Sequence, residues 1–111
     1  MDPRAATTPD PPYWCVVFTS LRAAGNEAEY GEAAGRMAEL ARGMPGFLGM
    51  ESVRDADGVG ITVSYWESEE AIRRWREHAE HRVVQKAGYD RFYEWFELRV
   101  GRVERARSFR R

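Results

Sequence analysis

At 111 residues and 12.8 kDa the chain is one domain's worth of sequence, enough for a single core and too short for two. Its hydrophobic fraction of 43% and aromatic fraction of 13% are those of a folded protein, while a formal net charge of -1 supplies no field to gather nucleic acid or anionic lipid. A lone cysteine, Cys15, excludes an intrachain disulfide and a cysteine-built zinc site, and the lack of a long apolar run or a signal pattern makes a soluble cytoplasmic protein the expectation.

Residues 1–12 hold four of the five prolines and no large apolar residue, so we expect a flexible leader outside a single domain of residues 13–111. Tyr13 to Leu21 is rich in aromatic and β-branched residues and reads as a strand with Trp14, Val16 and Phe18 on one face. Glu27 to Arg42 carries Tyr30, Ala34, Met37, Ala38 and Ala41 at three-to-four spacing, which predicts an amphipathic helix. Asn26 is the expected N-cap and Gly43 with Pro45-Gly46 the stop.

Phe47 to Arg54 and Gly60 to Trp66 are the next two strands, joined by Asp55-Ala56-Asp57-Gly58, where Gly58 supplies the left-handed residue such a turn needs. Ser68 caps a second helix with Glu69 and Glu70 at its positive end, and Ile72, Trp75 and Ala79 form its buried stripe. Gly88 ends or kinks it. Phe92 to Arg105 begins as a helical turn and becomes a strand, with Phe96, Leu98 and Val100 alternating and a slip expected at Gly101. The order β-α-β-β-α-β, with both helices on one face of an antiparallel sheet, is a ferredoxin-like α+β sandwich. Successive strand side chains alternate, so an apolar second face needs a cover, most simply another copy of the chain.

Usable chemistry concentrates between Gly60 and Tyr93. The second helix presents Trp75, His78 and His81 ahead of Tyr89, Phe92 and Tyr93. His78 and His81 stand at metal-ligand spacing, but no third histidine and no second cysteine exists to complete a site, so no metal is expected. No phosphate loop, nucleophile elbow or spaced carboxylate pair supports phosphoryl transfer, acyl transfer or glycoside hydrolysis.

Over residues 13–109 the pattern resembles the antibiotic biosynthesis monooxygenase superfamily of dimeric α+β barrels. The matching segments are Gly46-Phe47-Leu48-Gly49, Val63-Ser64-Tyr65-Trp66-Glu67-Ser68, the helix Ala71-Ile72 with Trp75 and His81, then Tyr93, Arg99-Val100 and Val103-Glu104-Arg105. The resemblance implies a homodimer and, for one branch, oxygenation without a cofactor. Haem-degrading relatives place a Trp on the helix, an iron-ligating His and a first-strand Asn. Trp75 fits that pattern, but His81 follows only six residues later and the first strand offers Thr19 and Ser20 instead of Asn, so haem is not expected to be turned over.

The resulting expectation is a cofactor-independent monooxygenase acting on a phenolic or polycyclic aromatic. His81 is the expected base, and Tyr65, Tyr89 and Tyr93 are the partners of the developing oxyanion. Trp66, Trp75, Phe47 and Phe92 wall the slot, with His78 at the solvent edge of the helix. The competing expectation is a non-catalytic dimeric module that holds a hydrophobic small molecule.

Overall fold

The computed structural model describes residues 4–80 and 91–111, with only the backbone of Glu80. The elements run β1 (Tyr13–Arg22), α1 (Glu27–Arg42), β2 (Phe47–Arg54), β3 (Val59–Trp66), α2 (Glu69–Glu80) and β4 (Tyr93–Val103). The strands form one antiparallel sheet in the order β2-β3-β1-β4, the ferredoxin-like order expected from the element sequence. Among the described helices none is long and apolar enough to cross a membrane.

Parity along β1 decides what faces the helices. Trp14, Val16, Phe18 and Ser20 point one way, and their cross-strand partners Trp66, Ser64, Thr62 and Gly60 on β3 share that face. Val16, Trp66, Ala41 of α1 and Ala71 of α2 make the buried centre, with Trp14, Phe47, Met44, Ile72 and Trp75 packed around it. Trp66 is fully buried, its indole N–H donating to Ser64 Oγ at 2.9 Å, so the large ring leaves no orphan donor. Gly46 permits this closeness. Its φ is +85°, and a Cβ there would stand 2.6 Å from the Cβ of Ala71.

The helix ends divide. Ser68 caps α2 as expected, its Oγ accepting from the Ala71 N–H at 3.0 Å. Asn26 does not cap α1 with its side chain. It adopts φ 59° and ψ 28°, and its carbonyl accepts from the Tyr30 N–H at 2.8 Å. Asn tolerates the left-handed region, and after Gly25 (φ +85°) the chain needs two such residues to turn off β1.

The β2–β3 turn is built as read, with Gly58 at φ +94° and the Val59 N–H bonded to Asp55 Oδ1 at 2.9 Å. In β4 the irregularity falls elsewhere than expected. Pairing with β1 continues unbroken through Gly101, opposite Cys15, and the register shifts instead at Leu21/Arg22, opposite Trp95 and Tyr93. Val103 therefore pairs with Tyr13 and lies on the opposite face from Phe96, Leu98 and Val100.

The outer face carries Tyr13, Cys15, Tyr65 and Glu51, and residues of the leader lie against it. The Ala6 N–H donates to Glu51 Oε2 at 2.9 Å, Thr8 Oγ1 meets the Tyr13 hydroxyl at 2.9 Å, and Tyr13 is buried. Large apolar side chains stay exposed at Val53, Ile61 and Trp95 on this face, and at Phe96, Leu98 and Val100 on β4. The last three share the helix side, but α1 contacts mainly β2 and α2 mainly β3. Among the described residues neither helix packs mainly on β4, which α1 meets through Tyr30 against Tyr93.

Candidate functional site

Between α1 and the sheet lies a cavity of about 460 Å³, within the size range of small-molecule sites. One wall is the small-residue stripe of α1, where Ala34, Ala38 and Ala41 leave room that larger side chains would fill. The other wall is the sheet, through Val16, Phe18, Met50 and Leu98. Trp75, Phe92 and Tyr93 close the aromatic side. Trp75 stacks on Trp66 with centroids 6.1 Å apart and planes at 23°, so the core holds that wall in place.

The polar end is made by Tyr30 and Arg54. Arg54 is the last residue of β2 and shares the inward parity of Met50 and Ser52. Its Nη2 donates to the Tyr30 hydroxyl at 3.0 Å and to Ser20 Oγ at 3.1 Å, while Nη1 donates to the carbonyl of Gly58. Ser20 is fully buried, and its hydroxyl is satisfied by this contact. The Tyr30 ring meets Phe92 and Tyr93 edge-on at 5.6 and 5.8 Å, and the Arg22 guanidinium sits 3.9 Å from its centroid.

Burial, and then the neighbouring Tyr30 hydroxyl, hold the Tyr93 phenol protonated well above its ordinary range, although Arg54 and Arg22 pull the other way. A phenol kept neutral in this manner is a hydrogen-bond donor.

The structure distributes the sequence-expected residues unevenly. Trp75, Phe92 and Tyr93 line the cavity together. Phe47 packs edge-on against Trp66 at 5.3 Å, and both belong to the adjoining core rather than to the cavity wall. His78 lies beside Trp75 with ring centroids 6.3 Å apart, outside the lining. Tyr65 is across the sheet. It faces Tyr13 at 5.8 Å, its hydroxyl donates to Glu51 Oε1, and burial followed by that carboxylate raises its pKa far above the usual phenol value. With its one proton committed to Glu51 and a sheet in between, Tyr65 does not reach the cavity. His81 and Tyr89 lie outside the described residues.

Sequence reasoning missed Tyr30 and Arg54 as site residues. Tyr30 was visible as part of the α1 stripe. Arg54 could have been found by parity, since setting Met50 inward on β2 sets Arg54 inward as well. Among the described residues no group of three or more His, Cys, Asp or Glu gathers at metal-binding range.

The family model for antibiotic biosynthesis monooxygenases matches residues 15–87. The chain is 52% identical over 102 residues to the uncharacterized protein YqjZ of Bacillus subtilis, covering 92% of this chain and 89% of that protein. A shorter match, 40% over 43 residues, covers 39% of this chain and 20% of a jasmonate monooxygenase of Pyricularia oryzae. Among solved structures, a variant of SnoaB, a cofactor-independent oxygenase from Streptomyces nogalater, superposes with a TM-score of 0.70 at 19% identity, covering 87% of this chain and 95% of that one. PA3566 of Pseudomonas aeruginosa gives 0.64 at 12%, covering 87% of this chain and 97% of that one. These structural likenesses establish a shared fold. The family match, spanning most of the chain and including the strand-helix segment that positions Trp66 and Trp75, makes this protein a member of the antibiotic biosynthesis monooxygenase family.

Proposed function

We propose that the protein is a cofactor-independent monooxygenase that oxidises an electron-rich aromatic in the cavity between α1 and the sheet. The observation that carries this reading is an unfilled cavity of about 460 Å³ with Trp75, Phe92 and Tyr93 in its wall, in a chain of this family. Had those rings packed into the space, a purely structural role would be favoured.

The chemistry needs a substrate that itself supplies the electron. A base removes a proton from an activated CH₂, and the carbanion passes one electron to O₂. Radical and superoxide combine, and the hydroperoxide loses water to leave a carbonyl. In sum, anthrone plus O₂ gives anthraquinone plus water. His81 is the proposed base, and Tyr93 with Tyr30 are donors for the charge that develops on the substrate oxygen. Tyr65 has no part in it.

A homodimer belongs to the same proposal. Phe96, Leu98 and Val100 are exposed on β4, and Leu98 also lines the cavity. A second copy covering β4 would remove that apolar surface from water and narrow the cavity mouth in one step.

Oxygen uptake with an anthrone tests the proposal. The wild-type protein should consume one O₂ per anthrone, and His81→Ala should lower the rate by about 10²–10⁴-fold, the usual cost of removing a general base. Full activity in a folded His81→Ala protein removes His81 from its role. A wild-type protein that oxidises no electron-rich aromatic leaves the cavity to a non-catalytic binding module.

A further inference from the structure

Some of the exposed arginines are matched by acids. Arg36 pairs with Glu32, Arg73 with Glu70 and Glu77, Arg91 with Glu29, and Arg102 with Glu104. At the cavity two guanidiniums meet neutral acceptors instead. Arg54 donates to the Tyr30 hydroxyl, Ser20 Oγ and two carbonyls. Arg22 donates to the carbonyls of Ala23, Gly25 and Phe92 and lies over the Tyr30 ring. Among the described residues neither guanidinium forms an ion pair and no carboxylate lines the cavity. Two half-buried positive charges thus converge on one tyrosine with no counter-charge among the described residues, an arrangement that costs free energy unless an anion completes it.

Geometry on β3 shows that the Arg54 seat is built into the sheet. Gly60 is buried directly beneath the guanidinium, and a Cβ at that position would stand 2.6 Å from Arg54 Cζ. Any other residue would push the group aside. Arg54 in turn fixes Tyr30. Because the phenol oxygen accepts from Nη2, its own hydrogen must be donated elsewhere, and Tyr30 and Tyr93 both form part of the cavity wall.

We propose that Tyr30, backed by Arg54 and Arg22, is a seat for an anionic oxygen, and that the cavity's ligand is a flat apolar acid whose conjugate-base oxygen sits there. The proposal rests on the cavity being the ligand site and adds the class of molecule it selects. The apolar wall takes the ring system, and the hydroxyl pair takes a phenolate, enolate or carboxylate oxygen at the positive pole. A charge-assisted hydrogen bond of this kind discriminates against a neutral isostere by about tenfold or more.

The test uses two ligands of one shape, 2-naphthoate and 2-naphthamide, titrated at pH 7 against tryptophan fluorescence, since Trp75 lines the cavity. The wild-type protein should bind the acid at least about tenfold more tightly than the amide. Arg54→Met should erase that preference while leaving amide binding in place. Gly60→Ala, which displaces the guanidinium but keeps its charge and the fold, should shrink it. Equal affinity for acid and amide in the wild type overturns the anion seat and leaves the cavity as an apolar site. A preference that survives in both variants places the anion away from Arg54 and also overturns it. If neither compound binds, the seat falls together with the cavity reading.

Discussion

The two faces of the sheet each hold a tyrosine whose phenol is kept protonated, and they reach that state by different routes. On the outer face Tyr65 is half-buried beside a carboxylate and donates its proton in a hydrogen bond to Glu51. On the helix face Tyr93 is half-buried beside another phenol, with two arginines nearby that offset part of the shift. The outer site is closed on itself, with donor matched to acceptor and the leader lying across it. Among the described residues the inner site has two guanidiniums and no carboxylate, beside an empty volume. A perturbed pKa alone therefore does not mark a functional residue.

The largest effect that bears on this contrast is expected at Trp66, which is fully buried and supports the Trp75 wall. Trp66→Ala should cost about 3–5 kcal/mol, a loss large enough to leave a domain of this size near its unfolding threshold. Thermal unfolding checks it. A loss below about 1 kcal/mol would mean that the core does not depend on this ring.

Alkaline pH gives the next test. Both phenols have folded-state pKa values raised above 10.0, the ordinary value. Unfolded tyrosines release protons near that value while the folded ones retain theirs, so the contribution is fully present below pH 10 and is lost as pH climbs past it. Unfolding followed from pH 8 to 11 should show stability falling above about 10, and Tyr65→Phe and Tyr93→Phe should each flatten that fall. A smaller difference separates the two variants in function. Tyr65→Phe should leave naphthoate binding unchanged, while Tyr93→Phe should weaken it by about two- to tenfold through loss of one donor. Equal effects from both would dissolve the distinction between the faces.

Much of the fold was legible because it depends on local chemistry and period. The α1 stripe, the Ser68 cap, the Gly58 turn and the alternation of β1 each follow from a few neighbouring residues. What failed depended on pairing across the sheet. A slip was expected at Gly101 because glycine weakens strands, yet Cys15 pairs with it squarely and the irregularity falls where the chain turns off β1. Asn26 has the composition of a cap, but the turn out of Gly25 claims its backbone first.

The site was legible in part for the same reason. Trp75, Phe92 and Tyr93 are conspicuous aromatics, and they do line one cavity. Tyr65 sits next to Trp66 in sequence and therefore on the opposite face, a consequence of strand parity that proximity along the chain conceals. Arg54 and Tyr30 lie 24 positions apart on different elements, and neither is unusual alone. Their meaning comes from three-dimensional surroundings in which no described residue brings a carboxylate to the cavity.

A crystal structure of the protein soaked with 2-naphthoate tests the central claim most directly. We expect the rings between α1 and the sheet against Trp75 and Phe92, with a carboxylate oxygen within hydrogen-bond reach of the Tyr30 hydroxyl. Naphthoate bound on the outer face beside Tyr65, or a cavity left empty at a saturating concentration, would contradict the account.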